Sequence, residues 1–425
     1  MSMRFWMTRL ERVMGRDFDA LLSDASFFVD PYPAYRTLRN EAPVFWSDAW
    51  GAWVLTRYDD VVNVLRTPGV FSSAGRVLHL LDQLPDEQQA RTKFLRRHYS
   101  VGIGHSDPPA HTRLRELVAP VFAPRQIGAA RPRICAVVEM LLERANQNDT
   151  VSALDAIAGL AYPLPAIVVL EMLGAPAEDM ELFRRWALDI NLLFAGGGRV
   201  DPQAATIADR SLLEMRSYLL ALIDERRRSP RDDVISRLAH SAQADRLDEQ
   251  ELISTCVTLF VAGHETTTNL LGNGLAALLR RPQAVAALHA NPAAIPAAVE
   301  EMLRFDAPVQ RAWRMAASDV TMGGTQIRQG EMVLAMLGAA NHDPAHFADP
   351  DEFDISRSDH RHLGFGFGIH FCLGAPLARL EVEVALRGLL ARFANMQIDP
   401  AEPLRWRRDV ALRGVESLPV LVSRP

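Results

Sequence analysis

Cys372 stands in the stretch Phe365-Gly366-Phe367-Gly368-Ile369-His370-Phe371-Cys372-Leu373-Gly374, and Gly364 adds a fourth glycine to the neighbourhood. Glycines at this density let a backbone approach a flat object closely. The run leads into a helix predicted to begin near Leu373, where free N–H groups and the positive helix end favour a thiolate. Such a thiolate is a suitable axial ligand for haem iron, donating electron density that favours O–O cleavage. A cysteine in isolation is usually an inert core thiol, but the glycine frame sets this one apart. A zinc site would need a second cysteine nearby, and covalent haem attachment would need C-x-x-C-H.

Three further groupings carry chemistry. Ala262-Gly263-His264-Glu265-Thr266-Thr267 interrupts an apolar segment predicted as one long helix, capped by Asp248 and Glu251 and closed by Arg280-Arg281-Pro282. Gly263 and the run Thr266 to Thr268 weaken helical bonding there, predicting a bulge or kink with room for a small ligand. The plainer alternatives are a solvated face or threonines bonded back to the preceding turn. Glu301 and Arg304 are i, i+3 neighbours on a helix ending near Phe305, a spacing that alone describes an ordinary surface pair. His111 and Arg115 share one face of a helix predicted to open at Asp107-Pro108-Pro109, with Asp107 as its cap, and to end near Ala119-Pro120.

The elements around these groups are mostly helical. Short apolar runs at Val44 to Trp46 and Ala52 to Thr56 predict a hairpin, and Trp313 to Leu337 reads as β-rich with turns at Gly323-Gly324 and Gln329-Gly330. Val410 to Val422 reads as a terminal strand pair. Helices are predicted over Ile134 to Asn146, Leu164 to Leu173, Ala177 to Leu193, Ala208 to Arg228 and Leu373 to Phe393, with a flexible turn at Gly196-Gly197-Gly198. The class is mainly α with small β-sheets (α+β). No linker or repeat divides the chain, which predicts one domain over 1–425, with a β-rich region at about 30–60 and a helical core at about 105–305 and 360–395.

Composition excludes other classes. A net charge of −6 over 425 residues argues against a nucleic-acid binder, and 48 % hydrophobic with 23 % charged residues argues against disorder. Three scattered cysteines exclude a disulfide scaffold and predict a reducing cytoplasm, with Cys135 and Cys256 as passive core thiols. Arginines interrupt the N-terminal segment too often for a leader. No stretch of about 20 uncharged apolar residues predicts a membrane span; Leu252 to Leu279 carries His264 and Glu265 at its middle. Lys93 is the one lysine among 46 basic residues, so cationic sites must be built from arginine.

The pattern F-x-x-G-x-x-x-C-x-G, met by Phe365, Gly368, Cys372 and Gly374, resembles the haem-binding loop of the cytochrome P450 family. Ala262 to Thr267 resembles the family's A-G-x-D/E-T-T/S stretch, and Glu301-x-x-Arg304 its buried Glu–Arg pair. Asp30-Pro31-Tyr32-Pro33, Ala340-Asn341-His342-Asp343-Pro344 and Leu377-Ala378-Arg379-x-Glu381 extend the likeness over essentially the whole chain. The resemblance implies the family's triangular-prism fold and haem b, with Cys372 as the iron ligand and Phe365 packed near it to temper its donation. It implies Ala262 against the macrocycle, His111, Arg115, Arg314 and His370 on the propionates, Thr266 stabilising reduced dioxygen, and Glu265 relaying protons. Pro350-Asp351-Glu352-Phe353 lacks the arginine that family members often place before the meander phenylalanine, and Arg357 is the substitute.

The implied activity is that of a monooxygenase inserting one atom of O2 into a hydrophobic small molecule, by hydroxylation or epoxidation. Electrons would come from a separate ferredoxin and ferredoxin reductase, with Arg113 as a docking contact and the enzyme a monomer. Peroxide-driven relatives, and silent haem-binding relatives that act as interaction proteins, typically lack the acid–alcohol pair kept here as Glu265-Thr266. The pocket is predicted to be lined by Ser72 to Gly104, Leu188 to Ala208, Val309 to Trp313 and the helix face around Thr258 and Ala262. Lys93, Arg96, Arg97 and His98 pose the question of a steered acidic substrate, against the more ordinary solvated face.

Overall fold

Asp248 accepts from the Glu251 amide at 2.7 Å, and the Glu251 carboxylate accepts from the Asp248 amide at 3.0 Å. This reciprocal cap starts the helix Glu249–Leu279, 31 residues long and about 46 Å at 1.5 Å per residue. Its two ends belong to different cores. Leu252, Ile253, Cys256, Val257 and Phe260 pack with Trp186, Leu212 and Leu219, whereas Leu270, Leu271, Leu275 and Leu278 pack with Val299, Leu303, Leu386 and Leu389. The polar middle lies where the two cores meet.

The architecture comes from a computed structural model that describes residues 17–145, 152–196, 198–240 and 247–423. The segment read for a leader before residue 17, the end of the helix predicted to reach Asn146, and Gly197 of the glycine turn lie outside these residues. Helices form at Pro124–Ala145, Pro163–Leu173, Met180–Asn191, Pro202–Arg228, Ile295–Phe305 and Ala375–Arg392. No helix of the described residues is long and apolar enough to cross a membrane.

The predicted hairpin forms as Val44–Ser47 and Ala52–Leu55, antiparallel with Trp46 opposite Trp53. It continues into a five-stranded sheet: Ala52–Leu55 pairs in parallel with Met332–Met336, which pairs antiparallel with Arg311–Ala316, which in turn pairs with Phe71–Ser72. The C-terminal reading needs correction. Val415–Ser417 and Pro419–Ser423 do not pair with each other; the first pairs with Arg405–Trp406, and the second lies between Ser152–Asp155 and Asn395–Ile398. Strand runs this close in sequence look like a hairpin because partner choice is set by distant segments.

Two other local expectations differ. Asp107 does not cap the helix Ala110–Val118; its carboxylate accepts from the Ser72 hydroxyl and from the Ser73 amide at 2.9 Å, pinning the edge strand instead. The long helix runs unbroken through residues 262–268 without the expected bulge, and the hydroxyls of Thr266, Thr267 and Thr268 bond back to the carbonyls of Ala262, Gly263 and His264 at 2.7, 3.1 and 2.9 Å, the plainer of the two readings.

Candidate active site

The cysteine loop is fixed by close backbone approach. Gly368 has φ +73°, and a Cβ there would lie 2.5 Å from the Leu65 carbonyl oxygen, so both conformation and space require glycine. The Cys372 amide donates to the Phe365 carbonyl at 3.1 Å, closing the loop on itself. Gly374 lies at the helix entry, where a Cβ would stand 3.8 Å from Cys372 Sγ. Burial pushes the Cys372 thiol above its ordinary value, against the pull of the Gly374 and Ala375 amides and the Arg115 and Arg379 guanidinium groups. A metal cation at the sulfur would add to the pull of these groups and favour the thiolate.

The loop is braced from behind by charge. Arg379 donates to both oxygens of Glu300 at 2.6 and 2.8 Å, and His362 Nε2 meets the same carboxylate at 3.0 Å. Burial alone would raise the Glu300 carboxyl, but these hydrogen bonds bring it down to about 2. The Arg379 guanidinium lies 4.6 Å from the centre of the Phe365 ring, so the charge network and the loop's first residue are packed as one.

Glu301 and Arg304 are each 1 % exposed, not a surface pair, and join through two hydrogen bonds of 2.8 Å. Arg304 also donates to the carbonyls of Asn341, Pro350 and Glu352 at 2.9, 2.8 and 2.9 Å. Arg357 Nε reaches Glu301 at 3.2 Å and takes the place of the absent meander arginine. Each charge is thus partnered within the protein, the condition under which a buried pair is tolerated.

Across from Cys372 the long helix presents a stripe of Thr258, Leu259, Ala262, Gly263, Thr266, Thr267 and Leu270 to one cavity of about 460 Å³. The same cavity is lined by Phe365, Cys372, Gly374, His111, Arg115, Arg314 and His370, so the sequence-predicted residues are brought together. Two do not line it: Gly368 is packed against Leu65 behind the loop, and Glu265 points elsewhere. Glu265 is 3 % exposed, with one carboxylate oxygen paired to Arg407 and the other accepting from Asn191. Both partners were invisible to sequence reading, since they come from the end of one helix and from a distant C-terminal segment.

Arg76, Ile103 and Gly104 carry the expected lining by Ser72 to Gly104, but nothing in the sequence assigned a role to Arg76 itself. It is 6 % exposed, lines the cavity, and donates to the Ser73 and Gly104 carbonyls at 2.9 and 2.7 Å. Burial and then the neighbouring Arg314 lower it to about 9, while burial lowers Arg314 to about 10. A single arginine after Gly75 carries no pattern that could have announced it.

These donors outnumber their acceptors. Among the described residues, Arg76 Nε, His111 Nε2 and His370 Nε2 are buried without hydrogen-bond partners, and Asp107 is the carboxylate that opposes both Arg76 and Arg314. A buried surplus of donors and positive charge beside an accessible thiol fits an anionic, metal-bearing group. The residues present therefore fit a haem whose carboxylates meet this corner and whose metal meets Cys372.

At the rim, Arg113 pairs with Glu251 at the start of the long helix. Some expectations for the pocket wall fail. Arg96 pairs with Asp82 at 2.7 Å, His98 is buried, and none of the Lys93 to His98 cluster lines the cavity. Leu188 to Ala208 does not line it either: Leu193 sits in the core, and the Phe194 ring is wedged 5.9 Å from Tyr99 and 5.4 Å from Trp313. Val169, Met172, Leu173 and Val234 form the wall in its place. Of the presumed core thiols, Cys256 is buried and pushed up to about 12, but Cys135 is exposed on its helix.

Comparisons with known proteins agree with this geometry. The family model described as cytochrome P450 matches residues 202–404. Cytochrome P450 107B1 of Saccharopolyspora erythraea is 38 % identical, covering 95 % of this chain and 97 % of that relative. The 6-deoxyerythronolide B hydroxylase of the same organism is 37 % identical, covering 94 % and 98 %. A crystal structure of P450BioI in complex with an acyl carrier protein ligated to hexadec-9Z-enoic acid superposes with a TM-score of 0.85 at 34 % identity, covering 94 % of this chain and 99 % of that one. The chain belongs to the cytochrome P450 family and has its fold. It is a monooxygenase of the bacterial type.

Proposed function

We propose that this monooxygenase holds haem b through Cys372 and hydroxylates or epoxidises a small apolar molecule above Ala262 and Thr266. When bound, the haem supplies dioxygen activation, which thiolate donation promotes. His111, Arg115, Arg314 and His370 hold its carboxylates, with Arg76 as a fifth donor. Phe365, Gly368 and Gly374 shape the loop beneath it, and Ala262 leaves space above it. Thr266 Oγ1, now donating to the Ala262 carbonyl at 2.7 Å, would turn to hold or pass a proton within the cavity. Glu265 takes part once Arg407 or Asn191 releases one of its oxygens. Electrons come from a separate ferredoxin and its reductase, the compartment is the cytoplasm, and the enzyme works as a monomer in one domain.

The observation that carries this reading is the opening of Cys372, the donor surplus and Thr266 onto one cavity. The test is the difference spectrum of the reduced carbon monoxide adduct. A strongly red-shifted Soret band lost in Cys372→Ser supports it; the same band in both refutes the ligand assignment. Thr266→Ala should consume electrons with little product, and unchanged coupling refutes the proton role. Product formation with peroxide as efficient as with redox proteins would favour the peroxide-driven reading.

A further inference from the structure

Thr258 differs from Thr266, Thr267 and Thr268 on the same helix. Those three hydroxyls are spent on carbonyls one turn back, whereas Thr258 Oγ1 is shielded and has no hydrogen-bond partner, although the residue lines the cavity. An unmade hydrogen bond at a shielded hydroxyl is costly, and a ligand group that makes it recovers that cost. Rotation about Cα–Cβ can reorient the hydroxyl toward a ligand at no cost in hydrogen bonds to the protein, since it makes none.

The surroundings leave little competition. Val169, Met172, Leu173, Val234 and Leu259, which line the same cavity, are all apolar. The cavity's cations belong to the carboxylate corner. Thr258 lies eight residues before Thr266, about 12 Å along the helix axis. An apolar pocket with one convergent polar group selects for orientation more than for affinity.

We propose that Thr258 is a specificity-determining residue that hydrogen-bonds a single hydroxyl or carbonyl oxygen on an otherwise apolar substrate, about 12 Å from the carbon held beside Thr266. This rests on the monooxygenase reading of the cavity and adds the substrate's polarity pattern to it. The helix then acts as a ruler, with one end fixing the oxygen and the other presenting the reacting carbon.

The test uses haem-loaded enzyme and two probes, 4-hexylphenol and hexylbenzene, the first of which has its hydroxyl and terminal methyl separated by a comparable length when extended. Calorimetric titration gives the ratio of their dissociation constants in the parent, Thr258→Val and Thr258→Ser. Thr258→Val should cost the phenol about fivefold relative to the hydrocarbon, and Thr258→Ser should keep the parent ratio. Oxidation of 4-hexylphenol should spread from the terminal methyl to inner carbons in Thr258→Val. A ratio unchanged in Thr258→Val, or no binding of either probe to the parent, overturns the proposal. Failure of the underlying reading shows separately, as a missing thiolate Soret band.

Discussion

The two sides of the cavity satisfy their polar groups in opposite ways. Behind Cys372, Glu300, Arg379, His362, Glu301, Arg304 and Arg357 partner one another and nearby carbonyls. On the opposite side and in the carboxylate corner, Thr258 Oγ1, Arg76 Nε, His111 Nε2 and His370 Nε2 are left without protein partners. The first arrangement stabilises a fixed geometry. The second keeps hydrogen-bonding capacity for what enters. A fully satisfied network rigidifies, and an unsatisfied one specifies a guest.

The contrast can be broken most severely at Glu301. Glu301→Ala leaves Arg304 and Arg357 buried without their carboxylate and should cost about 4 kcal/mol, read as a large loss of urea stability and of haem-loaded protein. Glu381 is a misfit on the fixed side: it is fully buried, Oε1 has no partner, and burial alone pushes its carboxyl up to about 8. Its folded value lies above the unfolded one, so its contribution falls as pH rises from about 4.5 to 8. Glu381→Gln should therefore stabilise the protein at pH 7, by up to about 3 kcal/mol, and flatten that decline.

His98 and His264 have the opposite sign. Burial lowers both to about 4, so the native state refuses protons that the unfolded chain accepts below about 6.5. Stability should fall by about 2 kcal/mol per histidine between pH 6.5 and 5, and His264→Phe, which keeps the stacking on Phe260, should remove one share. The smallest effect is expected at Arg76. Arg76→Met should change the stability of haem-free protein by less than about 1 kcal/mol, yet speed haem transfer to an acceptor protein severalfold. A large stability loss there would place Arg76 with the brace instead of with the guest-binding donors.

The braced side was the more legible in sequence, for a physical reason. Phe365, Gly368, Cys372 and Gly374 act through local backbone geometry, and Glu301 with Arg304 through helical spacing, so short patterns contain them. Thr266 and the helix cap were legible on the same ground. Asn191 and Arg407 reach Glu265 across 74 and 142 residues of chain, Arg76 meets Gly104 from 28 residues away, and nothing adjacent to them in sequence encodes the meeting. The missing bulge has a different lesson: a β-branched run whose hydroxyls bond one turn back is compatible with a continuous helix, so the run alone does not place a bulge. A helix face says which side Arg113 occupies, not that Glu251 pairs with it there.

The division of the Glu249–Leu279 helix between two cores bears on how such a protein can be altered. Packing around Leu252 to Phe260 can change without a matching change around Leu270 to Leu278, because the polar middle separates the two sets of contacts. Recombination between homologous chains with a junction inside residues 261–269 would keep each end with its own neighbours on this helix. Such a crossover could exchange the ruler's far end while inheriting the cysteine loop's brace intact.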